Sequence, residues 1–219
     1  MPIHLQRDID FLKKQVLSLC AIVEDQVRLA VGSVLERDAA MARHVQDRDT
    51  EVDQREVEVE EKCLAMLALH QPLASDLRLI VSVVKINNDL ERIGDLAVNI
   101  ARKAAALCEE PPIDIPFDLK GMWEKCQSML HDSIDAMVRF EPQLAHDVCG
   151  RDDAVDRMKH DIRVQLEEMM RRDPDRIRPL ERLRAVTRNL ERIADCATNI
   201  AEDVIYITEG RIIRHREGD

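Results

Sequence analysis

Aromatic side chains are nearly missing from this chain: one Trp, one Tyr and three Phe in 219 residues. A core must therefore come from Ala, Leu, Ile, Val and Met, a mixture that suits helices packed on helices and leaves little for a β-sandwich or barrel. Only six Gly are present, which points the same way. The six cysteines are scattered singly without a C-x-x-C pair, unlike the framework of a small disulfide-stapled secreted domain. Basic surface is also in deficit. Acids outnumber bases by 43 to 32, a formal charge of -11, which excludes broad affinity for nucleic acid or anionic lipid. The longest apolar run, "LIVSVV" at 79 to 84, is too short to span a bilayer. The opening "MPIHLQRDIDFLKK" has no basic segment leading into an apolar one, so no signal peptide is expected.

What is present is periodic, acidic and written twice. "NDLERIGDLAVNIA" at 88 to 101 returns as "RNLERIADCATNIA" at 188 to 201, with nine of fourteen positions identical. "DTEVD" at 49 to 53 returns as "DDAVD" at 152 to 156. One stretch, "CEEPPIDIPFD" at 108 to 118, breaks the helical pattern with three prolines and reads as a linker. The organisation expected is all-α, with two tandem homologous three-helix bundles of six long antiparallel helices. They cover residues 1–108 and 118–219 and are joined by residues 109–117. Asp38 is the expected cap after a first helix ending near Glu36, and Ser75 or Asp76 the cap after the break at Pro72. Pro142 and Pro174 are the corresponding breaks in the second half. The tail "GRIIRHREGD" is expected to finish the last helix.

The repeated polar residues share one face. At 100° per residue, Glu91, Asp95, Asn99 and Arg102 fall within roughly an 80° sector. Ile86, Ile93, Ala97, Ile100 and Ala104 lie on the far side. Glu191, Asp195, Asn199 and Glu202 repeat the sector. On the preceding helices, Asp49 and Asp53 border the seam Val45, Val52, Val59 and Cys63. Asp152 and Asp156 border Val148, Val155, Ile162 and Leu166. The midpoint of each pair lies about 20 residues from its hairpin turn, so equal rise brings both pairs to one height. Each hairpin then gathers four carboxylates. Two carboxylates at ~5 Å repel by about 3 kcal/mol at an effective dielectric near 20, so a convergence needs a neutraliser.

Two readings stand at this point. One is a solvated face with Arg92 and Arg192 as ordinary salt-bridge partners. The other is a cation site of hard oxygen ligands, suited to magnesium, calcium, manganese or iron(III) more than to zinc or copper. His160 continues the row of Asp152 and Asp156, but the first half has no histidine there, so it is left out of the ligand set. None of the seven histidines stands three after a Glu, as a di-iron bundle would require. There is no Walker loop, dinucleotide fingerprint or nucleophile elbow, and enzyme is the weaker class. "RRDPDRIRPLERLRAVTRNLER" carries eight Arg against four acids between 171 and 192. Arg184, Arg188 and Arg192 line one face, read first as an interhelical salt-bridge strip and second as a docking surface for an acidic protein.

"QPLASDLRLIVSVVKINNDLERIGDLAVNIA" and "LERIADCATNIAEDVIYITEGRIIRH" resemble the two signature regions of the PhoU family of phosphate-transport regulators. The resemblance runs through nearly the whole chain. It implies two similar three-helix bundles in a cytoplasmic, often membrane-peripheral and commonly dimeric regulator without catalytic turnover. Such a regulator links the ATPase subunit of the high-affinity phosphate ABC transporter to a sensor histidine kinase, and holds off the phosphate-starvation response. It also implies multinuclear metal clusters, iron in some members, on E(D)-x-x-x-D motifs. Those motifs match Asp49 with Asp53, Glu91 with Asp95, Asp152 with Asp156, and Glu191 with Asp195. The competing function is a metal-dependent phosphoester hydrolase using the same carboxylates. Two departures stand out: Cys196 occupies a position where the family usually has His, and the second half lacks "PLASDLR" before its LERI motif.

Overall fold

The computed structural model describes residues 3–115 and 117–213. Three long helices form each half, as the spacing predicts. In the first they are α1 (Ile3–Leu35), α3 (Asp49–His70) and α4 (Ala74–Cys108), with a short α2 (Ala39–Asp47) between the first two. In the second they are α5 (Leu119–Arg139), α7 (Asp152–Arg172) and α8 (Ile177–Glu209), with a short α6 (Pro142–Cys149). A 3-10 turn, Pro174–Arg176, leads into α8.

The turns form for local reasons. The Asp38 carboxylate accepts from the backbone N–H of Ala40 and Met41, capping α2 as expected. Gln71 ends α3 in the left-handed region. Ser75 and Asp76 are not the cap of α4: Leu73 holds that position in extended backbone, without a side-chain bond, and both polar residues lie inside the first turn. Pro142 stands in the first turn of α6, where its missing N–H costs nothing. Gly210 stops α8 in the left-handed region at φ 71°, so the tail does not continue the helix. Residues 211–213 are non-helical, and 214–219, with His215, lie outside the described residues.

The one break the periodicity did not predict divides the middle helix of each half. Arg48 has φ -90° and ψ -1° between α2 and α3. Gly150 and Arg151 have comparable values between α6 and α7. In both halves an arginine at the break reaches back to the first long helix. Arg48 donates to Asp25 at 2.9 Å, and Arg151 donates to Asp132 and, at 3.2 Å, to Ser128. Glycine and the acid-rich first turns of α3 and α7 were the available signals.

One apolar core runs through both halves. The predicted seams Val45, Val52, Val59, Cys63 and Val148, Val155, Ile162, Leu166 are all buried, as are Ile86, Ile93, Ala97, Ile100 and Ala104. The two LERI helices pack against each other: α4 meets α8 along the most extensive helix pair of the molecule, with α1 behind α4 and α5 behind α8. Helix α3 is then left on α4, and α7 on α8. That arrangement presents the acidic edges of both hairpins to the surface.

Candidate functional site

The breaks before α3 and α7 decide where the first acids stand. Asp49 is the first residue of α3 and Asp152 the first of α7, at the positive end of each new helix, where an anion is favoured. One turn on, Asp53 and Asp156 are exposed. Opposite them, α4 supplies Glu91 and Asp95, and α8 supplies Glu191 and Asp195. Gly94, beside Asp95, lets the two helices close up. A Cβ there would meet Val52 Cγ1 at 3.1 Å, and the second half accepts Ala194 at the matching position.

In the first half the acids act on one another across the helices. Burial pushes the Asp49 carboxyl above its ordinary value, followed by Asp53 and Asp95, against a smaller opposing pull from Arg102. Burial raises Glu91 too, then Asp95, Asp53, Glu56 and Asp49. Glu56, which lies outside the repeated motif, belongs to this group. It is raised by burial, then Glu60 and Asp53. Buried Asn87 donates to its side chain at 3.0 Å and to its backbone carbonyl at 2.9 Å. Its signal in the sequence was the three-residue step from Asp53.

The second half gathers the same four positions but adds a cation. Burial, then Asp156, raises Asp152, against a hydrogen bond that Thr198 Oγ1 donates at 3.3 Å. Burial, then Glu191, Asp152 and Asp156, pushes Asp195 up to about 6, with Lys159 opposing. Lys159 Nζ donates to Asp156 at 3.0 Å and to Glu191 at 2.5 Å. The matching position in the first half is Glu56. The two clusters are thus alike in carboxylates and opposite in the fifth residue.

The predicted set therefore comes together as electrostatic neighbours. Among the described residues, no three of the His, Cys, Asp and Glu side chains stand as a closed ligand set for one ion. The donor chemistry is all carboxylate oxygen, which suits a hard cation; the raised proton affinities come first from burial and then from neighbouring carboxylates, with Lys159 opposing in the second half. Cys196 is fully buried and its thiol is pushed up to about 12, chiefly by burial, so it offers no thiolate. His160 is exposed.

The arginines behave differently from the salt-bridge readings. Among the described residues Arg92 and Arg192 form no salt bridge with the acids of their own motif. Arg184 pairs with Glu181 one turn away in the same helix, at 2.8 Å. Among the described residues no interhelical salt-bridge strip forms along Arg184, Arg188 and Arg192, because α7 turns Lys159 and Arg163 toward them.

An all-helical chain with two copies of a helical hairpin, each gathering acids from its last two long helices, is a tandem carboxylate-edged bundle protein. The PhoU domain model matches residues 16–104 and again 119–204, and the chain belongs to the PhoU family. It is 37% identical over 209 residues to the phosphate-specific transport system accessory protein PhoU homolog of Pseudomonas aeruginosa, covering 95% of this chain and 86% of that one. The homolog of the same name from Aquifex aeolicus is 36% identical, over 97% of this chain and 96% of its own. The crystal structure of PhoU from Pseudomonas aeruginosa superposes with a TM-score of 0.91, 37% identity, and coverage of 94% and 99%. That of the phosphate transport system regulatory protein PhoU from Streptococcus pneumoniae gives 0.88 at 25% identity, with coverage of 95% and 99%.

Proposed function

We propose that this protein is a regulatory accessory of phosphate-specific transport and has no catalytic turnover of its own. The observation that carries the reading is the near end-to-end match to relatives with that name, over 95% of this chain and 86% of the first. In this reading the chain works in the cytoplasm as a homodimer. It meets the membrane only through partners, the ATPase subunit of the phosphate ABC transporter and a phosphate-sensing histidine kinase. By contact with both it restrains the starvation response and limits phosphate uptake. Among the described residues no helix is long and apolar enough to cross a membrane, which agrees with attachment through partners. Residues 1–108 and 118–219 are taken as its two units, joined by 109–117.

The carboxylate edges belong to the same proposal. Asp49, Asp53, Glu91 and Asp95 would hold one multinuclear cation cluster, with Glu56 beside it. Asp152, Asp156, Glu191 and Asp195 would hold another. The metal, iron or another divalent or trivalent ion with oxygen ligands, would supply the positive charge that lets repelling carboxylates approach. Support comes from the raised carboxyl groups, set first by burial and then by the acids facing them across the helix pairs.

Affinity capture of the tagged chain from phosphate-replete cells tests the assignment. Recovery of the transporter ATPase and the kinase is expected, and recovery of neither would contradict it. A screen of the purified protein against generic phosphoesters, with and without metal, tests the hydrolase alternative. Turnover abolished by Glu91→Ala would establish that alternative instead.

A further inference from the structure

The two halves share one pattern, yet the residues beside their acidic clusters differ in charge. Where α3 and α4 place Glu56, Glu60, Val84 and Asn88, the matching positions of α7 and α8 are Lys159, Arg163, Arg184 and Arg188. Those four, with Arg192 and with Arg92 from α4, line a cleft of about 570 Å³. Three acids share it: Glu181, Glu191 and Asp195. Two of them are already held, Glu181 by Arg184 at 2.8 Å and Glu191 by Lys159 at 2.5 Å. Among the described residues Arg163 pairs with Glu167 alone, at 3.5 Å. Among the described residues Arg92, Arg188 and Arg192 make no salt bridge. Three guanidinium groups from two helices thus face one concavity without a carboxylate partner, in a chain whose net charge is -11.

Stability does not account for this. Arg184, Arg188 and Arg192 follow at four-residue steps, where like charges weaken a helix. The first half is built on the same backbone pattern with Val84 and Asn88 at the first two of these positions and Arg92 at the third. The duplication acts as an internal control: the framework needs no base at the positions of Arg184 and Arg188, and only the second half has one there.

We infer that this cleft binds a phosphate-bearing anion, free or esterified. Guanidinium groups present paired N–H donors that match the oxygens of a phosphate. The volume lies in the range of small-molecule sites, ~300–1,000 Å³, and residues of three helices line it. An extended acidic peptide would need a long open groove instead. The cleft borders the second cation cluster and shares Lys159, Glu191 and Asp195 with it, but anion binding there needs no metal and does not rest on the proposed regulatory function.

The test is calorimetric titration of the full chain, held in chelator at constant ionic strength, with four probes: inorganic phosphate, pyrophosphate, ATP and hexaglutamate. Saturable binding of pyrophosphate or phosphate is expected if the source is free, and of ATP alone if it is an ester. The Arg184→Glu/Arg188→Glu variant should weaken that binding at least about tenfold. Both residues are exposed, so helicity should be unchanged, as circular dichroism will check. No saturable binding of any phosphate probe, equal affinity for hexaglutamate, or an unaltered affinity in the double variant would overturn the inference. Chelator keeps the result independent of metal, so loss of the cation reading would leave this one intact.

Discussion

Lys159 donates from α7 to the carboxylate of Glu191 on α8 at 2.5 Å, and its counterpart in the first half is Glu56, an acid held by Asn87 at 3.0 Å. One duplicated frame has therefore produced a cluster with its own ammonium and a cluster without one. An ammonium between two candidate ligands competes with a metal for the same charge. Lys159→Glu is expected to raise second-half affinity for manganese(II) by about tenfold or more. Titration calorimetry on a background lacking the first-half acids would show it. An unchanged affinity would mean that Lys159 does not control the site.

Proton binding gives a second expectation. In the metal-free protein Asp195 has a pKa raised from 3.8 to about 6, mainly by burial and then by Glu191. The fold favours its neutral form. Its contribution is fully present below the unfolded value and is lost as pH rises through about 6. Asp195→Asn should remove that loss, stabilising the metal-free protein at pH 7 by about 1–2 kcal/mol, after discounting for partial solvent screening. At pH 4 it should have little effect. Urea denaturation in chelator at the two pH values measures the difference. With metal present the sign reverses, because the ion competes with the proton.

The break before α3 gives a third. Arg48 and Asp25 keep 27% and 38% side-chain exposure, so Arg48→Ala should cost no more than about 1 kcal/mol in stability. It should cost metal affinity more visibly, because the break sets Asp49 at the start of its helix. Ile193→Ala, at a fully buried position, should do the opposite. It should lose about 2–5 kcal/mol and leave any metal stoichiometry intact at low temperature. Denaturation curves and metal analysis on the same samples separate the two effects.

Much of this architecture was legible in the sequence, and what was not has physical causes. Periodicity placed the seams because apolar burial repeats every turn: Val52, Val59, Val155 and Ile162 are buried where expected. It also set the acids of each hairpin at one height, since rise per residue is constant. The division of the middle helices went unread because nothing apolar changes phase there. The break is held by Arg48 with Asp25 and Arg151 with Asp132, contacts that no local pattern encodes. Lys159 and Glu56 were overlooked for a similar reason. They do not belong to the repeated motif, and their importance appears only once α3 lies on α4 and α7 on α8.

The arginine run shows the limit from the other side. Composition alone suggested interhelical salt bridges, but α7 faces Arg184 and Arg188 with Lys159 and Arg163. The charge on a helix face can be counted in the sequence; the charge of the face opposite it depends on packing.

Metal content of the purified protein after loading with iron or manganese is the most direct test. Elemental analysis should find bound metal in the parent chain, and Asp49→Ala/Glu91→Ala should lose the first half's share while its helical circular dichroism is retained. Equal metal in both proteins would contradict the claim that facing helices bring these acids together to hold a cation.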